Sequence, residues 1–218
     1  MDPDFWHERW RTQDIGFHQE HPQPALVKHW ASLGVAAAEA VFVPLAGKSI
    51  DMFWLAQQGH RVIGAELSEL AVDAFFQARG IEPVVRRAGS FTIKSAGSWD
   101  LWVGDFFALR AQDFKSVTAA YDRAALVAMP PQMQPRYAAK MAELMPPGSK
   151  SLLIGLDYNV PERKGPPFAV PRDTVRQLFE PAFQVELIEA RDGLAKSEHL
   201  AKSGVTYLEE ASYLLARR

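Results

Sequence analysis

Residues 40–66 read AVFVPLAGKSIDMFWLAQQGHRVIGAE, and the fold follows from how this stretch divides. Residues 40–45 (AVFVPL) are a short continuous apolar run, the pattern of a strand buried on both faces. Ala46-Gly47-Lys48-Ser49 is a turn, and Ser49 with residues 52–58 reads as a helix. Gly59-His60 closes that helix, since glycine adopts the left-handed conformation of a helix end without steric cost. Residues 61–65 (RVIGA) form a second strand that stops at Glu66. Strand, helix and strand in this order is a parallel pair with a crossover.

The same alternation extends in both directions. Downstream, Ser68 caps a helix running to about Ala78, and Gly80 ends it. Residues 82–98 hold two weaker β-like pieces around Ala88-Gly89-Ser90. Strands follow at 99–103, 117–122 and 151–156, with a long helix over 131–145 stopped by Pro146-Pro147-Gly148. A helix near 172–180 and strands near 183–189 and 206–215 complete the chain, the last two as an antiparallel edge pair. Upstream, residues 4–13 and 24–33 read as helices around a turn-rich stretch at 16–22. The pattern is α/β, a mostly parallel sheet covered on both faces. With no repeat or linker, 1–218 is expected to be one domain, and the proline-rich piece at 161–171 is its most loop-like segment.

Composition narrows the function classes. Lys plus Arg is 24 against 26 for Asp plus Glu, a net charge of −2, which argues against a nucleic-acid or membrane-surface binder driven by charge. There is no cysteine, so disulfides, Cys-ligated zinc, iron–sulfur clusters and a thiol nucleophile are all excluded. No apolar run reaches the ~18 residues of a membrane helix. The opening residues lack the regions of a signal peptide, so the cytoplasm is the expected location.

Ligands of open α/β sheets bind beyond the carboxyl ends of the strands, so the residues to weigh are Leu45-Ala46-Gly47, Glu66, Asp105-Phe106-Phe107, Arg123 and Asp157-Tyr158. A phosphate loop fails because Phe42 stands where its first glycine belongs, and the dinucleotide fingerprint fails because the turn holds a single glycine. Glu66, 21 residues beyond Leu45, is nevertheless where an acidic residue bonds ribose hydroxyls in such folds. A ribose site without a pyrophosphate site points to an adenosyl ligand lacking phosphates, of which S-adenosylmethionine is the common one. On position alone Glu66 reads equally well as a surface carboxylate. Asp105-Phe106 suits an adenine edge and face, although Phe106 and Phe107 taken alone read first as core. His18 and His21 have the spacing of a metal pair, but no further ligand stands at fixed spacing, so no metal is expected.

These residues belong to a wider resemblance. Phe17-His18-Gln19-Glu20, Val43-Pro44-Leu45-Ala46-Gly47-Lys48-Ser49, Asp51-Met52 with Trp54-Leu55, and Gly59-His60 occur in order. Val62-Ile63-Gly64-Ala65-Glu66-Leu67-Ser68-Glu69, Gly104-Asp105-Phe106-Phe107 and Asp122-Arg123 with Ala125-Leu126-Val127-Ala128 continue it. Gly165-Pro166-Pro167-Phe168 with Val170-Pro171 completes it. In this order and spacing the chain resembles the thiopurine S-methyltransferases, including bacterial members linked to methylation of thiols and of selenium and tellurium compounds.

The resemblance implies a Rossmann-like class I methyltransferase with a seven-stranded sheet, S-adenosylmethionine as methyl donor and a small thiol as acceptor. It implies an N-terminal lid over 1–35, a core over 36–218, and a monomer. It places cofactor contacts at Trp10, Leu45, Glu66 and Arg123, with Asp105 and Phe106 near adenine. It places the substrate pocket around Phe17, His18 and Phe168, and at His199, which with Lys202 stands where the family carries an arginine. That departure bears on substrate range rather than on cofactor binding. Ala46 replaces a frequent family cysteine, a tolerable change because the backbone forms the turn. Trp10 can face the positive donor, or simply anchor the first helix. Arg123 can favour a thiolate over a thiol, or form a surface ion pair. Competing readings are a halide or simple-thiol methyltransferase, a non-catalytic binder of the adenosyl group or a xenobiotic, and, more distantly, a nicotinamide oxidoreductase.

Overall fold

The computed structural model describes residues 3–159, 165–194 and 204–218. At its centre lies β1 (Ala40–Val43), every residue of it buried. It pairs in parallel with β2 (Arg61–Glu66) on one side and β6 (Val117–Arg123) on the other. β5 (Trp99–Val103) lies parallel to β2, and β7 (Lys150–Tyr158) parallel to β6. Antiparallel hairpins extend both edges, β3 (Val84–Ala88) with β4 (Phe91–Ala96), and β8 (Phe183–Asp192) with β9 (Leu208–Arg217). The order is β3-β4-β5-β2-β1-β6-β7-β9-β8. The seven strands expected from the resemblance are β5 through β8 of that order; the weak pieces around Gly89 form the added hairpin, closed by Gly89 at φ 58°.

Alternation along β1 explains the helices on both faces. Val41 and Val43 enter a buried cluster with Leu26 of α2 (Pro24–His29), Met52 and Leu55 of α3 (Ile50–Gln57) and Phe75 of α4 (Glu69–Gln77). Phe42 points the other way, into a cluster with Tyr137 and Met141 of α5 (Gln134–Leu144) and Phe179 of α6 (Arg172–Phe179). Full burial of each such side chain contributes about 1.5–3 kcal/mol. The first helix, α1 (Pro3–Arg11), buries only Trp10. Among the described residues no helix is long and apolar enough to cross a membrane.

Two local readings change. Ser49 caps α3 as a serine should, accepting from the Asp51 N–H at 3.1 Å. Ser68 precedes α4 but makes no side-chain cap. Its own N–H is taken by Glu66, and its hydroxyl is buried with no hydrogen-bond partner among the described residues. The stretch at 131–145 divides into a 3-10 turn at Pro131–Met133 and α5.

Candidate active site

The chain runs outward from β1 to β2 and β5, then returns to place β6 on the other side of β1. A crevice opens at such a reversal, beyond the carboxyl ends of β1 and β6. Both ends carry a non-glycine residue in the left-handed region, Leu45 at φ 45° and Ala124 at φ 63°. Each such position costs on the order of 1–3 kcal/mol and persists only where its surroundings hold it. Leu45 is held by its neighbour, since Ala46 N–H donates to the Ala65 carbonyl at 2.9 Å.

Glu66 is set into the floor of this crevice, 8% exposed. One carboxylate oxygen accepts from the Gly47 N–H and the other from the Ser68 N–H, each at 2.8 Å. Burial raises its pKa, and the backbone donors, Leu67 included, oppose that rise. Each carboxylate oxygen has a second lone pair, so the group can accept further hydrogen bonds from a ligand. It is not the surface carboxylate that position alone allowed.

Trp10 lies directly over Gly47. A Cβ on Gly47, whose φ is 53°, would stand 3.1 Å from the indole, so the residue there must be glycine for two reasons. Phe17 packs edge-on against Trp10 and Trp6, at ring separations of 5.6 and 5.9 Å. The N-terminal segment thus closes over the β1 turn through aromatic contacts. His18 follows, half-buried, its pKa lowered first by desolvation and then by the positive charges of Lys48, Arg123 and Arg79. It shares a groove of about 310 Å³ with Glu20, Lys48 and Arg79, between α3 and α4.

The remaining predicted residues divide. The exposed Asp105 accepts from Phe107 N–H at 2.9 Å and so starts a 3-10 turn at the end of β5. The ring of Phe106 is part of the core. It is buried and stacked on Tyr137 and Phe42, with centroids 5.1 and 6.4 Å away. The core reading of that ring holds. Arg123 is half-buried at the end of β6 and makes no hydrogen bond or ion pair among the described residues. Its neighbour Asp122 turns inward to Tyr137 instead. Phe168 is brought to the same turn, its N–H donating to the Val127 carbonyl at 2.6 Å, while Tyr158 hydroxyl donates to Pro167. His199 and Lys202 lie outside the described residues.

Sequence reasoning missed the tie that holds the N-terminal segment. Gln23 N–H donates to Asp51 at 2.8 Å, and Tyr121 hydroxyl donates to the other oxygen of that buried carboxylate at 2.9 Å. The Gln23 side chain reaches Glu210 of β9, which also pairs with Arg191. These groups border a second cavity of about 470 Å³ with Glu20, His21 and Leu156. A separation of 187 residues leaves no local pattern from which the Gln23–Glu210 bond can be read.

Comparisons with known proteins bear on the family and the fold. The chain is 47% identical over 218 residues to the thiopurine S-methyltransferase of Pseudomonas fluorescens (strain SBW25), covering 100% of both. It is 47% identical over 216 residues to that of Methylococcus capsulatus, covering 99% of this chain and 97% of the relative. A solved Burkholderia thailandensis 1,6-didemethyltoxoflavin-N1-methyltransferase, with S-adenosylhomocysteine bound, aligns with a TM-score of 0.65 at 16% identity, over 98% of this chain and 87% of that one. A structure from work on thioacetal formation in echinomycin biosynthesis aligns at 0.68 and 16%, over 99% and 92%. These two share the fold, that of the class I methyltransferases. Because the thiopurine S-methyltransferase family model matches residues 1–218 from end to end, the chain belongs to that family.

Proposed function

We propose that this protein transfers the methyl group of S-adenosylmethionine to the sulfur of small aromatic or heterocyclic thiols, such as thiopurines, and to related selenium or tellurium species. The observation that carries the reading is Glu66, a nearly buried carboxylate fixed by two backbone N–H groups at the reversal of strand order, beside a turn with no phosphate loop. That donor set fits an adenosyl group. Glu66 retains lone pairs for ribose hydroxyls. Trp10 offers an aromatic ring suited to a sulfonium, and Asp105 an exposed carboxylate with backbone for adenine. When bound, the cofactor supplies an electrophilic methyl on positively charged sulfur.

The chain's own residues then orient and exclude. Methyl transfer is an in-line displacement, with the acceptor sulfur–carbon bond forming as the donor carbon–sulfur bond breaks. Most of the acceleration comes from alignment and removal of water. Trp10, Phe17 and Phe168 supply apolar walls. Arg123 presents a cation without a carboxylate partner among the described residues, so it favours the thiolate and leaves the thiol proton to solvent. An acidic heterocyclic thiol needs no strong protein base. Because the chain has no cysteine, the reacting thiol belongs to the acceptor. A lid formed by 1–35 over a core of 36–218, in a cytoplasmic monomer, is part of the same proposal.

Incubation with S-adenosylmethionine and a thiopurine is expected to release S-adenosylhomocysteine and the S-methyl product. No turnover on any thiol, selenol or halide overturns the reading. Tight S-adenosylhomocysteine binding in calorimetry without turnover across such a panel assigns the protein to the non-catalytic binders.

A further inference from the structure

The turn after β6 is held by a side-chain pair that the proposed chemistry does not use. Asp122 is 2% exposed and Tyr137 fully buried. Tyr137 hydroxyl donates to Asp122 Oδ2 at 2.6 Å, and Leu126 N–H donates to Oδ1 at 3.2 Å. Ala125 N–H also helps to lower the pKa of this carboxylate. One residue further, the Val127 carbonyl accepts from Phe168 N–H at 2.6 Å. Arg123 and the left-handed Ala124 lie between Asp122 and these anchors. One carboxylate therefore fixes a turn with Arg123, unpaired among the described residues, at its start and the Phe168 loop bonded to its far side.

We propose that Asp122 and Tyr137 are positioning residues that set Arg123 and Phe168 at a fixed separation across the acceptor site. The inference rests on the methyltransferase reading of that site. Packing alone gives no reason for the arrangement, because a buried carboxylate is expensive and an apolar pair of similar shape is usually as stable. Burial, only partly offset by the hydrogen bonds to Tyr137 and Leu126, pushes Asp122 up to about 6. What the pair adds is direction. Left-handed backbone at Ala124 is held against its steric cost by hydrogen bonds to Asp122, and losing them lets the turn relax towards ordinary geometry. Both flanking groups then move together.

Tyr137→Phe isolates the hydroxyl, because the ring that stacks on Phe106 is kept. The variant is expected to lose about tenfold in kcat on a thiopurine, with S-adenosylhomocysteine affinity within about twofold of the parent. Amide exchange should quicken at Leu126 and Phe168 but not at β1 or β2. Asp122→Asn, which keeps an oxygen for Leu126 N–H, should lose less turnover than Asp122→Leu. Unchanged kinetics and exchange in Tyr137→Phe overturn the proposal. So does a uniform loss of turnover, cofactor affinity and sheet protection, since that is the mark of a merely structural residue. If the parent chain transfers no methyl group at all, the functional reading fails separately. The exchange of the Phe168 amide then decides the anchoring by itself, and unchanged exchange overturns it.

Discussion

The two halves of the crevice are held in different ways. At the β1–β2 end, backbone N–H groups converge on one carboxylate, Gly47 and Ser68 donating to Glu66, and Trp10 closes over the turn. At the β6 end, a side-chain pair from β6 and α5 holds the turn, and a distant loop docks on it through Phe168. Backbone donors keep their places whatever the side chains are, so the first half suits a ligand that never changes. Side-chain anchors can be retuned, so the second suits an acceptor that varies.

Arg123→Ala tests the separation hardest. Turnover on a thiopurine is expected to fall about a hundredfold, as for loss of a charged group aimed at the reacting centre. S-adenosylhomocysteine affinity in calorimetry should fall much less, although Arg123 is also among the expected cofactor contacts. An equal loss in both measurements would merge the two halves. Glu66→Ala should do the converse and weaken S-adenosylhomocysteine about thirtyfold, because a ligand hydroxyl and two backbone donors lose their acceptor. An unchanged dissociation constant would remove Glu66 from the cofactor side.

Gly47→Ala should lower stability by about 2 kcal/mol, from left-handed strain and the approach to Trp10. A chemical-denaturation curve measures it, and thiol KM should barely move. The last effect is in pH. Burial raises Asp122 from 3.8 to about 6, so the folded state prefers the protonated carboxyl. Its contribution is fully present below about pH 4 and is lost as pH rises through about 6. Relative to Asp122→Asn, the parent should gain stability on acidification across that window, by at most about 1.4 kcal/mol per pH unit. A flat difference would show that Asp122 does not titrate there.

The β1–β2 half was legible because its causes are local. A wholly buried strand reads as a continuous apolar run, and Gly47 and Glu66 are placed by strand ends alone. Ser68 reads as a cap from its type and place, yet its hydroxyl accepts no N–H of α4, which no sequence pattern shows. Phe106 reads as core or ligand face from sequence, and its stacking on Tyr137 bears out the core part of that reading. The Asp122–Tyr137 and Gln23–Asp51 bonds left no trace, since each joins different elements, 15 and 28 residues apart, beyond any local pattern.

Leu45 and Ala124 also determine which substitutions this chain tolerates. At both positions glycine or asparagine fits the backbone with little penalty, whereas valine or isoleucine forces the turn out of its present path. A designer seeking a new acceptor can therefore vary the proposed walls at Phe17 and Phe168, but must leave these two backbone corners closed to branched side chains.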